Sequence, residues 1–181
     1  MDDYREHGRE QGRHGNRRRG LPLSELDPAL TEKSRLVIGA AIEVHKALGP
    51  GFTRDIYLNA LRHELGEAGL EYELDVEFEV VYKDQDLGGV TIDIFVAERF
   101  AVEILARPGQ IGSLERLALR SKLRAADVEL GLIINFAERR LKDGLVRVLN
   151  PEKLNLQRDD HHDEHHDGHG HDDEDDDHGD D

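Results

Sequence analysis

Two groups of residues have the types and spacing to do chemistry. The first is a pair of acids, Asp93 and Glu103, set in the apolar runs 91–96 (TIDIFV) and 101–105 (AVEIL). Both are equidistant from Glu98. If the chain reverses at Glu98, the two carboxylates lie opposite each other on one face of a hairpin. Like charges so placed repel unless a cation sits between them or one is protonated. Such a pair can also hold Mg²⁺ for phosphodiester hydrolysis. A slip of one or two residues in register leaves both acids merely solvated. The second group is the segment 159–181, with His161, His162, His165, His166, His169, His171 and His178 among 13 acids. Neutral imidazole suits Zn, Ni or Cu, and carboxylates suit harder ions. The segment is expected to bind divalent transition metal without choosing among them; the plainer alternative is a solvating polyanion. Its histidines gain charge as pH falls through about 6.5, which makes its self-repulsion pH-dependent.

These groups need elements to position them. The chain has 181 residues and a net charge of −16. The segment 159–181 alone carries −13, residues 1–20 carry +2, and residues 21–158 carry −5. The expected organisation is therefore a basic flexible arm (1–20), one folded domain (21–158) and an acidic His/Asp-rich tail (159–181). Disulfides and thiolate metal sites are excluded, because there is no cysteine. No apolar run reaches the ~18 residues of a membrane span, and the opening residues have no apolar stretch, so a cytoplasmic protein is expected. The acidic balance and the lack of an aromatic-rich basic patch make a nucleic-acid partner unexpected.

Asp27-Pro28 is a helix start, with Asp as cap and Pro at the first helical position. Ile38, Ala41, Ile42, His45 and Leu48 form one apolar stripe, and Gly49-Pro50-Gly51 stops the helix. No Gly-Lys-Ser/Thr follows, so these residues read as a stop and not a phosphate loop. A second helix fits 54–68, with Tyr57, Ala60, Leu61, Leu65 and Ala68 inward. From Tyr72 to Tyr82 apolar residues alternate with acids, the pattern of a half-buried strand. Lys83 to Gly89 reads as a turn. Strands follow at 90–97 and 100–106, then a helix at 112–126 with Leu114, Leu117, Ala118, Ser121 and Ala125 inward. Val128 to Phe136 reads as a central strand covered on both faces, and Leu145 to Leu149 as a last short one. The order predicts a mixed sheet flanked by helices. His45 falls on the apolar stripe and is expected to be packed and hydrogen-bonded; His63 is expected at the surface.

The stretch 37–52 (VIGAAIEVHKALGPGF), with Tyr57 after it, resembles the GxxExxY family of the PD-(D/E)xK nuclease-like superfamily. The likeness continues through 91–96, 101–105, 130–136 and 141–150 and covers about residues 30–150. It implies a restriction-endonuclease-like α/β (α+β) core. It also implies a Mg²⁺ site made of a Glu, an Asp, a Glu-x-Lys and a Gln. Position by position, Gly51 and Tyr57 match the signature, but Arg54 stands where its Glu belongs. Asp93 matches the metal-binding Asp and Glu103 the first residue of Glu-x-Lys. Leu105 occupies the Lys position and Ala118 the Gln position. Leucine can neither orient a water nor neutralise a phosphate, and loss of one such group costs roughly 10²–10³ in rate.

The resulting expectation is a catalytically inactive remnant site with no Mg²⁺ in the core, in which Arg54 bridges Asp93 and Glu103. The protein is expected to be a self-assembling scaffold (cage, ring or filament). Its homo-oligomer is joined by the basic arm (Arg13, Arg17, Arg18, Arg19) and the acidic tail. One alternative is a metal storage or buffering protein. Another is a Mg²⁺-dependent nuclease with relocated groups, Lys122 serving for the missing lysine.

Overall fold

The computed structural model describes residues 26–154. The arm and the tail, with their arginines and histidines, lie outside these residues. Three helices, α1 (Pro28–Leu48), α2 (Arg54–Glu67) and α3 (Ser113–Ala125), flank five strands. These are β1 (Tyr72–Tyr82), β2 (Gln85–Val96), β3 (Phe100–Leu105), β4 (Leu130–Asn135) and β5 (Leu145–Leu149). The sheet runs β1-β2-β3-β4-β5. Only the β3–β4 pair is parallel, and α3 supplies its crossover. This is the mixed sheet with flanking helices that the element order predicts. No helix among the described residues is long and apolar enough to cross a membrane.

Two apolar clusters sandwich the sheet. On one side α1 and α2 pack Val37, Ala41, Val44, Leu61 and Leu65 against Ile94, Val102, Ile104 and Leu132. On the other, Leu119 and Leu123 of α3 meet Ile92, Phe95, Ala101 and Ile133. Every residue of β4 is buried, as a strand covered on both faces requires. β1 alternates half-buried apolar residues with exposed acids over most of its length.

The cap of α1 joins the fold together. The Asp27 side chain accepts the Ala29 N–H at 2.8 Å and also pairs with Arg99 of the β2–β3 turn at 2.7 Å. Arg99 reaches Glu129, just before β4, at 2.8 Å. One arginine thus links the start of α1, a hairpin and the central strand.

Several packing assignments differ from the sequence reading. The buried stripe of α1 is Leu30, Ser34, Val37, Ala41 and Val44, and Ile42 is exposed. The stripe is rotated because the long helix carries enough apolar residues to read as two adjacent stripes. Ala68 caps α2 and is exposed. β2 starts at Gln85, because Lys83 and Asp84 both take positive φ and close a two-residue turn. That turn type favours Asn and Gly, so Lys-Asp gives no signal of it. The largest difference is in α3. Leu114, Leu117, Ala118 and Ser121 face solvent; Leu119 and Leu123 are the buried pair. The polar residues Glu115 and Lys122 sit half-buried beside them. The sheet side was unrecognisable because α3 has two apolar stripes.

Close approach of α3 to β4 depends on Gly131. A Cβ there meets Leu119 Cδ2 at 2.9 Å and Leu123 Cδ2 at 3.1 Å. Gly131→Ala is expected to lower stability by about 1–3 kcal/mol through overpacking. Urea unfolding checks this; an unchanged midpoint would show that α3 rides loosely on the sheet.

Candidate functional site

The site begins at the loop after α1. Tyr57 is fully buried, and its hydroxyl donates to the Gly49 carbonyl at 2.6 Å while accepting the Phe52 N–H at 3.1 Å. Its ring stacks on Phe136, centroids 4.6 Å apart and 6° from parallel. The tyrosine therefore ties the 49–52 loop to the end of β4. Gly51 has φ 121°, which L side chains rarely adopt. The loop delivers the chain to Thr53 and starts α2 at Arg54. His45 bonds the Glu138 carbonyl through Nε2 at 2.9 Å, and its ring centroid lies 6.5 Å from that of Phe136. His63 is exposed and lines a shallow surface hollow with Asn59, Arg62 and Glu67.

The strands change character where the acids sit. Leu74 and Ile94 pair and pack toward α1 and α2; the next alternate pair, Val76 and Ile92, packs toward α3. Both strands turn over between these pairs, at Asp75 and Asp93. Asp75 takes φ 51° to do so. The β2–β3 register is symmetric about Glu98, with Ile94 opposite Val102, and its ladder ends there. Beyond it, Asp93 Oδ2 accepts the Ile104 N–H at 2.7 Å in place of a backbone carbonyl. Continuing the register sets Glu103 opposite Asp93, and the β1–β2 register sets Asp75 opposite it on the other side. Three acids thus stand in a row across three strands.

Each inner acid has its own cation. Arg54 Nη2 lies 2.6 Å from Asp93 Oδ1, and its Nη1 lies 3.4 Å from Asp55. Lys122 Nζ, reaching in from α3, lies 2.7 Å from Glu103 Oε2. Arg54 therefore does not bridge the two acids as expected: a second cation occupies the Glu103 side. Leu105 stands two residues beyond Glu103 on the same strand, half-buried against the α3-side cluster. Ala118 is exposed on the outer side of α3 and brings nothing to this site. The sequence reading misses Asp75, hidden among the alternating acids of β1. It offers Lys122 as a relocated lysine in its nuclease alternative, and the structure sets that lysine on Glu103.

Electrostatics follow from these contacts. Burial first, and the Asp93 charge second, push the Glu103 carboxyl above its ordinary value, and the Lys122 hydrogen bond only partly offsets them. Burial works against the Arg54 charge, but the hydrogen bond and charge of Asp93, with Asp55 and Asp75 behind it, outweigh burial and hold the guanidinium above its ordinary value. A Mg²⁺ ion asks for a near-octahedral set of oxygens. Here both Asp93 oxygens and Glu103 Oε2 are engaged, and only Glu103 Oε1 is buried without a partner. Among the described residues no three His, Cys, Asp or Glu side chains converge to hold a metal. The donors as arranged do not fit the ion.

The raised Glu103 carboxyl has a sign that can be measured. Below its raised folded value and above 4.5, the native state holds a proton that the unfolded chain does not. In that window Glu103 makes stability rise as pH falls. The depressed carboxyls of Asp27 and Glu115 act oppositely, below 3.8 and 4.5. Glu103→Gln is expected to flatten the rise in urea midpoint as pH falls towards 4.5. An unaltered slope would place the titration elsewhere.

A protein-family model for the PD-(D/E)XK nuclease superfamily matches residues 31–148. No curated protein and no solved structure gives a significant match. The matched segment holds β1 to β4, β5 but for Leu149, α1 from Thr31 onward, all of α2 and α3, and the Arg54, Asp93, Glu103 and Lys122 cluster. By this match the chain belongs to the PD-(D/E)XK nuclease superfamily.

Proposed function

We propose that this is a non-catalytic member of its superfamily that serves as an assembling scaffold. The observation that carries the loss of catalysis is the pairing at the site. Two acids face two fixed cations, Arg54 on Asp93 at 2.6 Å and Lys122 on Glu103 at 2.7 Å. Both Asp93 oxygens and Glu103 Oε2 are taken up, so the two inner acids have few free oxygens to offer a divalent cation. A guanidinium also holds a carboxylate in a directed way that a metal must undo. Leu105, at the position of the catalytic lysine in the resembled motif, supplies no charge.

The scaffold role draws on surface chemistry. Leu114 and Leu117 on α3 are 78% and 54% exposed, and Val81, Tyr82 and Leu87 at the β1–β2 hairpin tip are about as open. Grouped exposed apolar residues mark protein–protein contacts. The basic arm and the acidic tail of neighbouring copies add complementary charge, closing into a ring or cage or running on as a filament. The tail binds Zn, Ni or Cu in this reading.

One observation favours a second reading. Lys122 lies within hydrogen-bond distance of Glu103, so Asp93, Glu103 and Lys122 together make an Asp-Glu-Lys set with the lysine carried on a helix. In that reading Arg54 swings off Asp93 when metal and phosphate arrive, and the protein is a Mg²⁺-dependent nuclease.

Nicking of supercoiled DNA and of RNA in Mg²⁺ or Mn²⁺ separates the two. The scaffold reading expects no cleavage above the level of Glu103→Ala, and a multimer by light scattering after size exclusion, with or without chelator. Cleavage that Glu103→Ala and Lys122→Ala both abolish establishes the nuclease instead. A monomer under all conditions removes the scaffold.

A further inference from the structure

α3 has an outer face that nothing among the described residues covers. Leu114, Leu117, Ala118 and Ser121 run along it exposed. Arg116, Arg120 and Arg124, four residues apart, form a row on its flank, all exposed. At 1.5 Å rise per residue the row spans about 12 Å. Among the described residues neither Arg116 nor Arg120 makes an ion pair, and Arg124 makes one long contact, 3.7 Å to Glu152. The face is thus a strip of three guanidinium groups beside an apolar stripe, on a domain that is acidic as a whole.

The Glu152 contact sets the end of the described residues beside Arg124. The described residues end at Leu154, two positions beyond a side chain that touches Arg124. Lys153 pairs with Asp127, just past the end of the same helix. The segment 159–181, with 13 acids and no lysine or arginine, follows four residues later. An extended chain covers about 3.3 Å per residue, so five steps from Leu154 reach about 17 Å. Leu154 itself packs against the α1–α2 cluster, but this reach leaves the first acids, Asp159 and Asp160, within range of the Arg124 end of the row. Tethering at this distance also raises the local concentration of the acids above what a separate molecule attains.

We propose that the acidic tail docks in cis on the outer face of α3, its carboxylates on Arg116, Arg120 and Arg124. Guanidinium pairs carboxylate bidentately, and several exposed pairs in a row act together where one alone contributes little. While docked, the tail withdraws this face, Leu117 included, from the contacts that the assembling reading draws on, so docking and assembly compete. The same carboxylates cannot then meet the basic arm of a neighbour, so docking opposes arm-to-tail contact between copies. The proposal stands whether or not the domain assembles.

The absence of cysteine allows a direct test on the full chain. A Gly168→Cys variant carries one nitroxide label on the tail, and the isotope-labelled protein is read by amide NMR. Mixing it with an excess of unlabelled, unspin-labelled protein separates contacts within a chain from contacts between chains. The expected result is loss of signal along residues 116–124, undiminished by mixing, with the outer face of α1 (Leu36, Glu43) spared. Arg116→Glu with Arg120→Glu restores the α3 signals, as does salt at roughly 0.5 M, where screening is short-ranged. Both arginines are exposed, and the dispersion of the variant's spectrum verifies its fold. Unbroadened α3 amides overturn the proposal. So does broadening that survives both charge reversal and salt, or that mixing removes.

Discussion

A carboxylate taken out of water needs a counter-charge, and this domain places two of them on adjacent strands at its centre. Asp93 and Glu103 are each met by a cation from a different helix, Arg54 at the start of α2 and Lys122 on α3. Leaving either acid unpaired in that setting costs several kcal/mol or forces a proton onto it. The helices therefore cannot take arbitrary positions. α2 must begin where Arg54 reaches Asp93, and the buried Tyr57, bonded to Gly49 and Phe52 and stacked on Phe136, holds that starting point. α3 must lie low enough for Lys122 to reach Glu103, and Gly131 gives Leu119 and Leu123 the room to do so.

The same arrangement explains the local irregularity of the sheet. A regular ladder would keep alternate residues on one face throughout. Here β1 and β2 turn over at Asp75 and Asp93, and Asp93 takes the Ile104 N–H that the ladder leaves free. The turnover carries the Asp93 side chain to where Arg54 from one layer and Glu103, paired from the other, lie close by. Irregular strand geometry of this kind is common beside functional sites. The charge that meets the two inner acids here comes from Arg54 and Lys122.

Much of the architecture is legible in the residues. The alternation from Tyr72 to Val80, the Asp27-Pro28 cap, the Gly49 stop and the uniformly apolar β4 each specify one element, because a single physical pattern dominates at each. Helix faces are harder to read. α3 carries Leu114 and Leu117 on one side and Leu119 and Leu123 on the other, and periodicity alone weighs the two equally. The buried side is chosen by Gly131 on β4 and by the Lys122–Glu103 contact, both of which are long-range. Asp93 and Glu103 are legible from spacing about Glu98; the intrusion of Arg54 follows only from the family resemblance. The second cation, Lys122, is legible only as an alternative, since its reach to Glu103 depends on which way α3 faces. Asp75 is not legible, since it looks like one more solvent-facing acid until its positive φ is seen.

The central claim is that the two inner acids are held by their own arginine and lysine and do not present a divalent-metal site. Paramagnetic broadening of backbone amides during Mn²⁺ titration of the full chain tests it most directly, because it reports where the ion sits and distinguishes the core from the tail. The account predicts that the amides of Asp93, Glu103 and Ile104 keep their intensity at Mn²⁺ concentrations that already saturate the tail. Selective loss of those three signals, restored by Asp93→Asn, would contradict it.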